Sequence, residues 1–421
     1  MYKHQKHILK NGIRFISIPM TDTNTVSVLI LVKVGSRYET KETGGLSHFL
    51  EHMVFKGTKK RPTTLDISTS LDELGAEFNA FTGEELTGFY IKSQSKDFDH
   101  SLDILNDMLF NSLFDIKEIE REKGVITAEL NMYREDPKLH VSTMGQELLY
   151  DDTPLGRDIG GTIETVNKFE KNNFLDYIKK HYIGKNIVVA VAGKQDNAWL
   201  ENLKEKMEEI PKGDLTKAEI FKDDQKNPKI MLDYRKIDQA NILLGFKTFS
   251  KHDSRKYALS VLSNILGGAM SSRLFITVRE RHGLCYYIRS STDFFEDTGD
   301  FVITSGIEPT KIDKAISLII DEIKNIKTNK IDEKELNKAK ENICGRFYLS
   351  LEESLEVANY YGSQELFFDK IEEPLEFARQ IRKVTAEEVQ NVARQIFDLN
   401  KINIALIGPY KDEKHFINLI K

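Results

Sequence analysis

Apolar positions recur along this chain with two periods. Short apolar runs predict strands at 12–19, 25–34, 87–93, 186–192, 230–234, 242–246, 301–307 and 402–407. Helical spacing predicts helices at 44–55, 65–74, 98–109, 116–134, 172–181, 257–266, 312–326, 333–350 and 386–397. Strands and helices mixed in this way indicate α+β sandwich layers. The stretch 210–229 is polar, charged and punctuated by Pro211, Gly213 and Pro228, so it reads as a linker.

The linker falls at the midpoint, and the flanking halves resemble each other. Asp115-Ile-Lys-Glu-Ile-Glu-Arg-Glu-Lys is echoed by Asp332-Glu-Lys-Glu-Leu-Asn-Lys-Ala-Lys, an offset of 332 − 115 = 217. Lys185-Asn-Ile-Val-Val-Ala-Val-Ala-Gly is echoed by Lys401-Ile-Asn-Ile-Ala-Leu-Ile-Gly, at nearly the same offset. Charged helices and buried strands look alike anywhere. Two echoes in the same order at one offset point instead to a duplicated unit.

Composition narrows the function. The 421 residues are 40% hydrophobic and 30% charged, which excludes disordered and membrane-bundle classes. A net charge of −6 lacks the positive field that nucleic acid requires, so no nucleic-acid partner is expected. The longest apolar run, 26–34, is shorter than the roughly 20 residues a bilayer needs, so no membrane insertion is expected. Two cysteines, Cys285 and Cys344, argue against a disulfide scaffold, and no apolar stretch follows the first residues as in a signal peptide. The expected location is cytoplasmic.

The strongest chemical signal is Gly44-Gly45-Leu46-Ser47-His48-Phe49-Leu50-Glu51-His52-Met53. On a helix His48 and His52 are one turn apart and about 40° apart in azimuth, so their imidazoles can converge on one ion. Glu51 can stand beside that ion, take a proton from a metal-bound water and deliver it to a leaving amine. A third ligand must come from another element. Glu122 and Glu129 share a helix face, about 20° apart. Glu129 lies beside apolar Ala128 and Leu130, with Val125 and Ile126 a turn earlier, a setting in which a carboxylate wants a cation. Glu122 could orient a ligand histidine. By spacing alone, a His-x-x-x-His pair on a helix is usually core or surface histidine, and glutamates in a helix rich in Lys and Glu are usually solvated.

Residues 44–58 resemble the inverted zinc motif His-x-x-Glu-His of the pitrilysin and insulinase metallopeptidases, the inverzincins. The flanking Phe55-Lys56-Gly57-Thr58 is similar to the branch containing mitochondrial processing peptidase and its bacterial relatives. In that family a glutamate about 77 residues after the second histidine completes the site, and here 129 − 52 = 77. The resemblance implies His48, His52 and Glu129 as zinc ligands, Glu51 as catalytic base and Glu122 as supporting carboxylate. It covers nearly the whole chain. Gly75-Ala-Glu-Phe-Asn-Ala-Phe-Thr82 resembles the family's edge strand, and 267–275 with 279–286 resemble its non-catalytic half, apart from Cys285 and Met270.

The expected architecture is therefore α+β, two homologous domains in tandem, each a mostly antiparallel sheet packed with helices. Residues 1–210 would form the catalytic domain, 211–229 the linker, and 230–421 a domain without metal that contributes to substrate binding. Asn79 and Ala80 would hold an extended peptide along an edge strand, or Asn79 is simply a turn residue. The resemblance implies that Arg279 and Tyr286 reach over the peptide, where they could also stabilise an oxyanion. It implies four such units around a chamber, and hence a homodimer. The expected activity is zinc-dependent endopeptidase action on unfolded peptides, basic ones included. The alternatives are an active subunit of a heterodimer with an inactive partner, and a non-catalytic structural subunit. The latter typically loses the motif residues that this chain keeps.

Overall fold

The computed structural model describes residues 2–196, 203, 206–208 and 210–420. Met1 and Lys421, the outer bounds of the two expected domains, lie outside the described residues. The chain forms two compact units.

The first unit comprises Met1–Leu130, Arg157–Glu219 and Tyr348–Glu372. Its sheet contains β1 (Gln5–Ile8), β2 (Arg14–Pro19), β3 (Thr25–Val32), β4 (Glu77–Thr82), β5 (Thr87–Gln94) and β6 (Ile187–Gly193), in the order β1-β2-β6-β3-β5-β4. Only β2 and β6 run parallel. Helices of this unit include α1 (Leu46–Met53), α2 (Thr64–Asp72), α3 (Phe98–Phe110), α4 (Ile116–Glu135) up to Leu130, α6 (Ile163–Lys168) and α7 (Lys171–His181).

The second unit comprises Asn131–Gly156, Ile220–Phe347 and Glu373–Lys421. Its strands β7 (Lys229–Tyr234), β8 (Ala240–Lys247), β9 (Cys285–Phe294), β10 (Gly299–Ile307) and β11 (Asn403–Gly408) pair in the order β7-β11-β8-β10-β9, again with one parallel pair, β7 and β11. The two sheets share one topology, save for the extra edge strand β1. Both are mostly antiparallel and covered by helices, the α+β class that the sequence pattern indicates.

Neither unit is one continuous stretch of chain. The sheet of the second unit is covered by α5 (Pro137–Tyr150), from the first half of the sequence. The sheet of the first unit is covered by α11 (Ser354–Phe367), from the second half. The two helices start 354 − 137 = 217 residues apart, the offset of the sequence echo. Each helix carries a glycine against its sheet. A Cβ on Gly145 would sit 2.6 Å from the Leu243 side chain, and one on Gly362 would sit 3.0 Å from Leu31. Bare backbone lets helix and sheet approach closely.

Covering on both faces explains the continuous apolar text of β3, Thr-Val-Ser-Val-Leu-Ile-Leu-Val, of which all but Thr25 is buried. Val26, Val28, Ile30 and Val32 join the core under α1 and α3. The strands β1, β4 and β9 lack such runs because each is a sheet edge with polar or half-exposed positions. Residues 211–228 form neither helix nor strand, and β7 begins at Lys229. Among the described residues no helix is long and apolar enough to cross a membrane.

One buried titratable group makes stability depend on pH. His181 ends α7, 1% exposed, with the Tyr177 and Tyr38 rings centred 4.5 and 6.2 Å from its own. Burial, with some help from Lys180, presses its pKa from 6.5 down to about 4. The unfolded chain therefore binds a proton between those values that the native chain does not. Stability must fall as pH drops through this window. At one pKa unit per roughly 1.4 kcal/mol, His181 accounts for about 2 kcal/mol of the loss between pH 7 and pH 5. Urea denaturation of metal-stripped wild type and His181→Phe at both pH values should show this difference in slope. Equal slopes would rule His181 out as the source.

Candidate metal centre

The site is built on α1, only two turns long. Leu46, Phe49, Leu50 and Met53 form its buried stripe, and His48, Glu51 and His52 stand on the other, half-exposed side. Gly45 starts the helix in the left-handed region, φ +92°, and Gly161 opposite it has φ +73°. A Cβ on Gly45 would lie 2.4 Å from the Gly160 carbonyl oxygen, and one on Gly161 would lie 2.2 Å from that of Gly44. The glycine pairs thus interlock backbone against backbone. Thr165 Oγ1 donates to the Gly44 carbonyl at 2.7 Å.

The second element is α4. Ile119, Glu122 and Ile126 form its buried stripe, and Glu129 continues it one turn on. Two carboxylates thus interrupt an apolar face, the signal in the sequence. Val125 and Ala128 do not enclose Glu129 as the sequence reading has it; both are exposed, because they lie off this stripe.

These elements bring three donors together. Glu129 Oε2 lies 3.7 Å from His48 Nε2 and 3.4 Å from His52 Nε2. The ligating atoms of the three residues all fall within 4.8 Å of one another. A tetrahedral zinc with bonds of about 2.0–2.1 Å spaces its ligands by about 3.3–3.4 Å, so this donor set fits that ion. Glu129 Oε2 is buried without a hydrogen-bond donor among the described residues, an orphan that a cation would satisfy.

The surroundings prepare the donors. Burial, then the neighbouring His52, presses the His48 pKa down to about 4, which leaves its imidazole neutral at pH 7. Glu122 Oε1 accepts from His52 Nδ1 at 2.9 Å, which leaves Nε2 as the basic nitrogen facing Glu129. Burial acts to raise the Glu122 pKa, but hydrogen bonds from His52 and Lys56 outweigh it and hold the group ionised, below the usual carboxylate range. The Lys56 ammonium is 2.7 Å from Glu122 Oε2.

Glu51 accepts from Thr82 Oγ1 at 2.6 Å. Burial raises its pKa against the pull of Thr82 and His52, with Glu129 adding to the rise. That moves a carboxylate toward the range in which a general base works at neutral pH.

Asn79 and Ala80 lie on β4, at the edge of the sheet, with Asn79 exposed and Ala80 buried. Asn79 Oδ1 accepts from the Ala80 backbone N–H at 2.9 Å. Arg279 and Tyr286 belong to the second unit. Tyr286 is 78% exposed, and the Arg279 guanidinium lies 5.9 Å from its ring centre and 4.6 Å over Phe275.

Three contributors escape the sequence reading. Lys56 and Thr82 lie inside the segments it singles out, and only their partners in space give them a part. Glu39 carries no local signal at all. Its Oε2 accepts from Gly45 N at 2.8 Å and its Oε1 from Ser47 N at 2.6 Å, and burial pushes its carboxyl up to about 7 against these donors.

Residues 14–163 match the family model described as insulinase, peptidase family M16, and residues 168–343 match that of the peptidase M16 inactive domain. The chain is 33% identical over 406 residues to the uncharacterized zinc protease YmxG of Bacillus subtilis, covering 96% of this chain and 98% of that one. This chain belongs to peptidase family M16. An uncharacterized zinc protease of Rickettsia felis is 34% identical, over 95% of this chain and 96% of its own. Among solved structures, a protease from Helicobacter pylori shares the fold with a TM-score of 0.90 at 22% identity, over 97% of this chain and all of that one. The matched M16 region labelled inactive starts after the last of the clustered residues, so His48, Glu51, His52, Glu122 and Glu129 all fall in the first M16 match.

Proposed function

We propose that this M16 chain is a zinc endopeptidase that cuts peptides in extended conformation. The observation carrying this reading is the convergence of His48, His52 and Glu129 with Glu51 alongside. The names of the curated relatives, zinc proteases, support it. Zinc held by His48, His52 and Glu129 would polarise the scissile carbonyl and lower the pKa of the attacking water. Glu51 takes the proton of that water and passes it to the leaving amine. Glu122 holds His52 in the tautomer with Nε2 free, and Lys56 keeps Glu122 charged. Asn79 and Ala80, on the edge strand β4, pair with the substrate backbone. Arg279 and Tyr286 bind the peptide from the second half.

The duplicated halves, 1–210 and 230–421 joined by 211–229, supply two of the four units of a chamber, and a homodimer supplies all four. The test is the purified chain with a quenched peptide library. Zinc near one per chain, cleavage abolished by a chelator and restored by zinc, and a compact folded protein left intact are the expected results, with a solution mass near twice that of the chain. Undiminished cleavage after complete metal removal would overturn the proposal.

A further inference from the structure

The metal helix does not cap itself. Its N-cap position is Gly45, which has no side chain, yet the first N–H groups of a helix need acceptors. With only eight residues, α1 is also far shorter than the roughly 12–15 at which an isolated helix becomes even marginal in water. The acceptors come from Glu39, six residues upstream and 5% exposed, whose two oxygens take the N–H groups of Gly45 and Ser47. Ser47 immediately precedes His48, and its hydroxyl is hydrogen-bonded to the buried Tyr177 hydroxyl at 2.5 Å. Arg157 donates to the Glu39 carbonyl at 3.3 Å and so ties the cap to the chain just before Gly160 and Gly161. A buried carboxyl is costly unless hydrogen-bonded. Here its bonds go to the start of the one helix that carries both histidines.

We propose that Glu39 is a positioning residue for the metal, fixing where α1 begins and thereby the separation of His48 and His52 from Glu129. This rests on the zinc reading above. A helix this short pivots about its first turn, and the donor spacing of 3.4 and 3.7 Å leaves little slack for tetrahedral coordination.

The test measures metal affinity directly, by competition with a chromophoric chelator, together with the visible spectrum of the cobalt-substituted protein. Glu39→Gln keeps the volume but sets an NH2 group against one of the two backbone N–H donors. Zinc affinity should fall about 10- to 100-fold, the scale of lost support around a ligand, and the cobalt bands should weaken or shift. Glu39→Asp keeps the charge but is one methylene short. It should fold even if Glu39→Gln does not, and should lose several-fold in affinity. Val191→Ala, a core truncation in β6 of the same unit, controls for general destabilisation and should leave zinc affinity and the cobalt spectrum unchanged. Wild-type affinity and spectrum in either folded Glu39 variant would overturn the inference. Failure of the wild-type chain to bind zinc would instead overturn the reading on which it rests.

Discussion

Glu51→Gln should bind zinc like the wild type, stay folded and yet turn peptides over at least ~100-fold more slowly, the usual scale of lost general-base catalysis. The substitution removes the proton acceptor and little else. The glutamine carbonyl can still accept from Thr82 Oγ1, so the side chain keeps its place between α1 and β4. None of the three clustered donors is altered. Because burial raises the Glu51 pKa, the wild-type rate should decline on acidification starting closer to neutral pH than an ordinary carboxylate would dictate. Single-turnover measurements with a peptide, beside zinc analysis, separate the two effects. Wild-type turnover in the variant would mean that another group activates the water.

The strands inside the sheets were legible because both of their faces are buried, as in β3 and β6. The edges β1 and β9 were not, since an edge strand needs no continuous apolar run. The helices α5 and α11 were hidden for another reason. Each packs on a sheet formed by the opposite half of the sequence, and each breaks its apolar stripe with a buried glycine, Gly145 or Gly362. The compact units consequently differ from the contiguous halves by an exchange of helices that no local pattern announces. At the site, motif spacing marked the residues that the fold gathers on α1 and α4. Spacing could not reveal Lys56, Thr82 or Glu39, whose parts depend on neighbours far away in sequence. The histidines also illustrate the limit of residue type alone. His48 and His181 are both pressed down to about 4 by burial, yet only His48 has a carboxylate oxygen and a second imidazole facing it.

Replacing one of the three converging donors should cost far more metal affinity than replacing the carboxylate behind them. In Glu122→Gln, His52 loses its charged acceptor but keeps Nε2, and affinity should drop about 10- to 100-fold, as expected for a group that orients a ligand. In His52→Ala or Glu129→Gln a bond to the ion itself is lost or weakened. A three-ligand site has none to spare, so zinc retained through purification should fall from near stoichiometric to near zero. The side chains of His48, His52 and Glu129 are 16%, 20% and 25% exposed, the two histidines lie off the apolar stripe of α1, and glutamine keeps the volume of Glu129 on α4, so the metal-free variants should keep the wild-type far-ultraviolet spectrum. Burial of Glu129 Oε2 without a hydrogen-bond donor carries a further expectation. Once no ion satisfies that oxygen, it is left as an acceptor without a donor, whereas an amide in its place can turn its NH2 group toward His52 Nε2. Metal-stripped Glu129→Gln should therefore be at least as stable as metal-stripped wild type, even though it no longer holds zinc. Elemental analysis, chelator competition and urea denaturation together check the series. Full zinc content and wild-type affinity in Glu129→Gln would remove Glu129 from the ligand set and leave the two histidines in search of another partner.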